Sequence, residues 1–242
     1  IRHCRIHPAR LTRAAAWPKH ALPILGTSLR NLEKTENIMK PIMLGAMAMA
    51  TIVLASNILV QFPIGNWLTW GAFSYPLAFL VTDLVNRFYG PSAARRVVLV
   101  GLVAGLIASA IGTQIMGAFG PLVTIRVAIA SATAFFLGQF LDIAIFNRLR
   151  GAAWWRAPFI STFAGSALDT VVFFTLAFSA AFIWISPATD VAWALEPVPL
   201  LGAAVPLWVS LALADFAVKI LVDLCALLPF RLAIAKYRSN LV

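Results

Sequence analysis

The sequence predicts an all-α, polytopic membrane protein: a bundle of six transmembrane helices with both termini in the cytoplasm. Three observations carry that expectation. The 242-residue chain is 61% hydrophobic and only 12% charged, against about 45–50% apolar and 25% charged in soluble domains. After Met39 nearly all of it consists of apolar stretches long enough to cross a hydrocarbon core roughly 30 Å thick, which takes about 20 helical residues. Lys and Arg then fall in alternate loops, the asymmetry that orients helices across a bilayer.

The stretches are taken in order. Helix one is expected from about Ile42 to Phe62 and helix two from about Leu68 to Phe88. Helix three runs from about Val97 to Phe119, helix four from Val127 to Phe146, helix five from Phe159 to Ile185, and helix six from Leu200 to Phe230. The loop after helix two carries Arg87, Arg95 and Arg96, and the loop after helix four carries Arg148, Arg150 and Arg156. The C-terminal tail holds Arg231, Lys236 and Arg238, while the opposite face has Arg126 with the acids Asp190 and Glu196. An even number of crossings with cytoplasmic ends satisfies every loop.

Residues 1–38 read differently from residues 39–242, which form the six-helix membrane domain. The segment is basic, punctuated by Pro8, Pro18 and Pro23, and lacks a long apolar run. It is expected to be a disordered or non-native extension, with Met39-Lys40-Pro41 resembling a natural beginning; an Arg-rich targeting extension is the alternative. The net charge is +10, and seven of the nineteen basic residues lie in these first 38 positions. The others mostly flank helices, so the charge is expected to serve the membrane face rather than nucleic acid. Cys4 and Cys225 are too far apart to suggest a disulfide framework. His3, Cys4 and His7 fall short of a four-ligand metal site, so neither metal nor cofactor is expected.

Ionisable groups inside a bilayer are costly and usually face a cavity or a partner. Asp215 and Lys219 lie at i,i+4 in helix six and can pair, with Asp223 continuing the same face. Such a pair can simply neutralise itself, or it can release one partner during transport. Asp169 in helix five has no basic residue within a turn, and Thr162, Ser166 and Asp169 can line one face. Gln139 and Asp142 share a face of helix four, with Ser131 about two turns earlier, and Asn57 and Gln61 share one of helix one. Asp83 is expected to pair with Arg87 as a structural contact.

Gly71, Ser74 and Pro76 interrupt helix two, and Pro76 frees a carbonyl. Broken helices at membrane depth are tolerated where they line protein interior or a cavity. Pro206 is expected to bend helix six before Asp215. Gly101, Gly105 and Ser109 recur every four residues in helix three and permit close approach, either by the chain's own helices or across a homodimer. The N-R-x-x-G spacing at Asn86–Gly90 and Asn147–Gly151 suits helix stops, a basic last turn followed by glycine; a duplicated hairpin is the alternative. Trp67, Trp70, Trp154, Trp155, Trp184 and Trp193 fall near helix ends, as interfacial aromatics do. No nucleophile elbow, Walker loop, H-E-x-x-H or C-x-x-C is present, so no enzyme activity and no hydrolysis-driven transport by this chain alone is expected.

Several blocks together resemble a known family. Ser56-Asn57-Ile58-Leu59-Val60-Gln61, Thr69-Trp70-Gly71-Ala72-Phe73-Ser74, Thr82-Asp83-Leu84 and Tyr89-Gly90 with Ala94-Arg95-Arg96 are similar to queuosine precursor transporters (the VUT, or YhhQ-type, proteins). Gly138-Gln139, Leu141-Asp142, Phe146 to Arg150, Trp154-Trp155, Ala157-Pro158, Ser161-Thr162, Asp169-Thr170 and Asp215 with Lys219 continue the resemblance, from Met39 to Pro229. Ser166 stands where the family pattern has a carboxamide, and residues 1–38 have no counterpart.

The resemblance implies a multi-pass importer in the bacterial inner membrane, moving the 7-deazaguanines preQ0 and preQ1 for salvage into transfer-RNA queuosine, with proton coupling as a hypothesis. Asp169 or Asp142 would accept the paired N–H and NH₂ of the base edge. Asn57, Gln61, Ser74 and Gln139 would supply further polar contacts, and Asp215 with Lys219 would form a gating or coupling pair. The competing reading is a substrate-binding membrane subunit for a vitamin- or purine-like solute, working with a separate ATPase module. An intramembrane enzyme and an assembly factor fit the residues less well.

Overall fold

The structure, a computed structural model, describes residues 21–59, 63–64, 68–117, 120–187, 189–200 and 202–239, with side chains described from Met39 onward except at 63–69 and 237–239. Gln61, Trp67 and the His3, Cys4 and His7 group therefore lie outside the described side chains. The chain divides into two units, Ile1–Lys40 and Pro41–Val242. Every group discussed below belongs to the second.

The described elements are overwhelmingly helical: α1 (Ala21–Leu59), α2 (Gly71–Ser74), α3 (Leu77–Tyr89), α4 (Pro91–Gly112), α5 (Ile125–Leu149), α6 (Arg156–Phe178), α7 (Ala192–Leu195) and α8 (Leu207–Ser239). Among the described residues, four helical stretches are long and apolar enough to cross a membrane: Met39–Leu59, Pro91–Gly112, Ile125–Leu149 and Arg156–Phe178. The other two long segments fall short for separate reasons. The 13 residues of α3 span only about 20 Å at 1.5 Å per residue. The 33 residues of α8 are ample in length but include Asp215, Lys219 and Asp223.

The packing is inverted relative to a soluble protein. Met43, Leu44, Met47, Leu54 and Ile58 on α1 and Leu99, Val103, Leu106, Ile107 and Ile111 on α4 are exposed. Thr82, Asp83, Asn86, Gln139, Asp142, Ser166, Asp169 and Lys219 are buried. Apolar groups outward and polar groups inward is the arrangement a hydrocarbon solvent favours. Trp70, Trp154, Trp155, Trp184 and Trp193 are exposed close to helix ends.

Small residues set the closest contacts. A methyl group built on Gly101 would lie 2.5 Å from Met49 Cγ, and one on Gly105 would lie 3.1 Å from Val53 Cγ1. The small-residue stripe of α4 thus receives the inward face of α1. Thr124 caps α5 by accepting from the Val127 N–H at 3.2 Å. Between α3 and α4 the chain reverses in one residue. Gly90 takes φ 86°, ψ 173°, and Pro91 opens α4, a left-handed stop followed by a residue suited to a first helical turn.

Several expected boundaries are corrected. Helix two does not start at Leu68: Pro63–Ile64 (β1) and Leu68–Thr69 (β2) form a hairpin, and the helix begins at Gly71. Its break falls at Tyr75-Pro76, where Ala78 and Phe79 bond back only three residues, to Tyr75 and Pro76, because proline lacks the N–H for a regular turn. Helix five ends at Phe178; Ser179 is extended, and a 3₁₀ segment, Ala180–Ile185, follows. Pro206 does not bend helix six. It closes strand Ala203–Pro206 (β6), which pairs with Pro197–Leu200 (β5), and α8 begins after it and runs on through Pro229. A third hairpin joins Met116–Gly117 (β3) to Gly120–Pro121 (β4). None of these hairpins was expected, since strands of two to four residues leave no periodicity to detect.

Arg126, near the start of α5, is completely buried. Its Nε donates to Leu176 O at 2.7 Å and its Nη2 to Ser179 O, so it neutralises the negative end of α6. Arg126→Ala is expected to lower stability by about 2 kcal/mol, because two carbonyls lose a charged donor. Thermal unfolding in detergent measures this. An unchanged midpoint would rule out the capping role.

Candidate functional site

The interior polar groups gather in two clusters along one face of α6. The first is centred on Lys219 of α8. Its Nζ donates to Asp169 Oδ2 at 2.7 Å, to Asp215 Oδ2 at 2.7 Å and to Thr170 Oγ1 at 2.9 Å. All three hydrogens of the ammonium are therefore used. Thr170 Oγ1 donates in turn to Asp215 Oδ2 at 3.1 Å. Tyr75, at the break between α2 and α3, donates its hydroxyl to Asp169 Oδ1 at 3.2 Å. Its ring also lies beneath the ammonium, 5.5 Å from Nζ to centroid, a cation–π arrangement. With every group ionised the cluster carries two carboxylates and one ammonium, a net charge of −1.

The second cluster lies about two turns back along α6. Thr162 Oγ1 is 3.1 Å from Asp83 Oδ2 and 3.4 Å from Asp142 Oδ1. Ser166, between the clusters, donates to Asp223 Oδ2 at 3.2 Å. Beside it is a cleft lined by Asp83, Thr162, Asp223, Pro158, Phe159 and Phe230, with room for a water molecule.

The expected site residues divide accordingly. Asp169, Asp215 and Lys219 meet directly, and Asp142 belongs to the neighbouring cluster with Asp83. Gln139 is buried on α5, where Thr82 Oγ1 donates to its Oε1 at 2.6 Å while its Nε2 has no partner. Ser74 Oγ lies 2.9 Å from Ser56 Oγ and donates to Gly71 O at 3.2 Å. Asn57 turns back on its own helix, its Nδ2 donating to Val53 O at 2.9 Å. Gln61 lies outside the described residues.

The expected Asp83–Arg87 pair is not formed. Arg87 Nη1 donates to Arg150 O at 2.9 Å, and Arg150 Nη1 donates back to Arg87 O at 3.2 Å. Arg150 Nη2 also reaches Asn86 Oδ1 at 2.7 Å and Asn86 O at 2.6 Å. The two N-R-x-x-G segments thus clasp the ends of α3 and α5 together. Arginine side chains saturate terminal carbonyls better than a one-turn ion pair could.

Residues 69–234, well over half of the chain, match the family described as putative vitamin uptake transporter. The chain belongs to this family. It is a family of transporters rather than enzymes, and with its apolar spans the protein is a multi-pass membrane protein. It is also 37% identical over 192 residues to the queuosine precursor transporter of Escherichia coli K12, covering 74% of this chain and 79% of that one. A probable queuosine precursor transporter of Haemophilus influenzae is 37% identical over 154 residues, 52% of this chain and 65% of that one. No solved structure matches.

Within this transporter the groups that sequence reasoning missed are Tyr75, Thr82 and the Asp83–Asp142 pairing. Tyr75 carried a signal, because it precedes the proline that breaks a membrane helix. The carboxyl pairing carried none, because residues 59 positions apart meet only through the crossing of α3, α5 and α6.

Proposed function

We propose that this protein imports queuosine precursors, the 7-deazaguanines preQ0 and preQ1, across a bacterial inner membrane through a six-crossing bundle with both ends in the cytoplasm. Support for the substrate class comes from the relatives just described. Support for the topology comes from the basic residues at the α3–α4 and α5–α6 connections and after α8.

The observation that carries the reading is the Asp169–Lys219–Asp215 cluster, buried within the bundle and floored by Tyr75. A guanine-like edge presents an N–H beside an NH₂, and a carboxylate accepts both at once. Asp169 supplies that carboxylate. When the base takes its oxygens, Lys219 retains Asp215 and Thr170 as partners, so no buried charge is stranded. Tyr75 gives the fused ring an aromatic face. The net charge of −1 also favours the cationic aminomethyl group of preQ1. Ser56, Ser74 and Gln139, whose Nε2 lacks a partner, offer further polar contacts.

Asp169→Asn turns one acceptor into a donor facing the base. It is expected to weaken preQ1 binding to the purified protein roughly ten- to hundredfold, the equivalent of about 1–3 kcal/mol. Unchanged affinity would remove Asp169 from the site. A family of vitamin uptake transporters also accommodates a vitamin-binding subunit served by a separate ATPase module. Uptake by this chain alone in proteoliposomes, without nucleotide, decides against that arrangement.

A further inference from the structure

With Asp169 on the base edge, Asp142, the alternative acceptor, is left with Asp83 on Thr162 in a second carboxyl cluster that the substrate reading does not use. Asp83 and Asp142 are 3% and 0% exposed. Thr162 has a single hydroxyl hydrogen, so it can serve Asp83 at 3.1 Å or Asp142 at 3.4 Å but not both. Asp83 Oδ1 and Asp142 Oδ2 are fully buried and, among the described residues, have no hydrogen-bond partner in the geometry, Ser161 being the other hydroxyl that bears on Asp142. Among the described residues no lysine or arginine forms an ion pair with them. From α8, Lys219 is spent on Asp169, Asp215 and Thr170, and Asp223 adds a third carboxyl rather than a positive charge. From the ends of α3 and α5, Arg87 and Arg150 are spent on carbonyls and Asn86.

Two carboxylates that both lie within 3.4 Å of one threonine hydroxyl, in a lipid-surrounded interior, repel strongly, and one shared proton removes most of that cost. A metal ion is the other remedy, yet no three acidic, histidine or cysteine side chains among the described residues are placed to hold one. We propose that Asp83 and Asp142 hold one exchangeable proton between them, and that this pair is where the transporter couples to a proton gradient. The inference rests on the transport reading above but assigns coupling to a different place from the Asp215–Lys219 pair.

Access fits the assignment. The cleft that Asp83 lines has room for a water molecule, a carrier by which a proton can reach the pair. Communication fits as well. Thr162, Ser166 and Asp169 succeed one another along a single face of α6, bonded to the carboxyl pair, to Asp223 and to Lys219 respectively. Substrate at Asp169 and a proton at Asp142 therefore both bias the position of one helix, the element through which two sites can be linked.

The test uses the full chain reconstituted in liposomes with labelled preQ1. Accumulation driven by a proton gradient is compared with substrate exchange at equal pH, which needs no net proton movement. Asp83→Asn keeps an acceptor for Thr162. It is expected to cut gradient-driven accumulation at least tenfold, to leave exchange within about twofold of wild type, and to abolish the substrate-induced change in internal pH. Accumulation that survives the substitution overturns the proposal, and so does exchange lost in step with it. Wild type that accumulates preQ1 indifferently to the gradient overturns the coupling site while sparing the substrate reading. Wild type that neither exchanges nor accumulates overturns the substrate reading itself. Where the variant fails to reach the membrane, the wild-type protein still decides. Its infrared spectrum should show a protonated-carboxyl C=O stretch that is lost as pH rises, in step with loss of accumulation, and absence of that band overturns the proposal.

Discussion

Lys219→Met is expected to destabilise the protein by about 3–5 kcal/mol and to abolish uptake, the largest single-residue effect in the bundle. Among the described residues the ammonium is the only positive charge within hydrogen-bonding distance of Asp169 and Asp215, at 2.7 Å from each. Removing it leaves the buried Asp169 carboxylate, and the Asp215 carboxylate with its side chain 19% exposed, without a counter-charge, and the Thr170 hydroxyl loses a donor as well. A stranded buried charge costs more than the intact pair ever contributed, because the desolvation of each ion is no longer offset. The triple variant Lys219→Met, Asp169→Asn, Asp215→Asn should therefore regain most of the lost stability while remaining inactive. Thermal midpoints in detergent and preQ1 uptake in proteoliposomes separate the two effects. A Lys219→Met protein as stable as wild type would mean the ammonium is not compensating those carboxylates, and the electrostatic account of the site would fail.

The residues show why part of this arrangement was readable from sequence and part was not. Asp215 and Lys219 lie four positions apart, so helical geometry alone brings them together, and the structure pairs them. The same rule placed Thr162, Ser166 and Asp169 on one face, and all three point inward. The small-residue stripe of α4 was legible because its period of four is itself a packing surface. What escaped depends on distances the sequence does not encode. Asp169 reaches Lys219 across 50 positions and Thr162 reaches Asp83 across 79, contacts set by how helices cross rather than by spacing along one of them. The Asp83–Arg87 expectation failed for a related reason. It used the local i,i+4 rule at a helix end, where free carbonyls of two helices compete for the same guanidinium. Pro206 misled because a proline at a strand end and a proline in a helix look alike when the strand is only four residues long.

Gly138→Ala tests whether the two clusters depend on one close helix crossing. A methyl group at Gly138 would lie 2.9 Å from Gly165 O and 2.9 Å from Asp169 Cβ, and one at Gly165 would lie 2.9 Å from Gly138 O. The obstacle at this crossing is backbone, so no rotamer change relieves it. At Gly101, by contrast, the methyl meets the flexible Met49 side chain, which can move aside. Alanine at 138 must therefore push α5 and α6 apart, at about 1–3 kcal/mol for overpacking. The separation lengthens the Thr162–Asp142 contact between these two helices, and the methyl, lying against Asp169 Cβ, displaces the carboxylate that Lys219 holds. Gly138→Ala is expected to lower the thermal midpoint and to reduce both preQ1 binding and gradient-driven uptake. Gly151→Ala, where an added methyl meets nothing within 4 Å, should leave all three near wild type. If the two alanine variants behave alike, the crossing of α5 and α6 is not what sets the geometry of the site, and the side chains must be positioned from α3 and α8 instead.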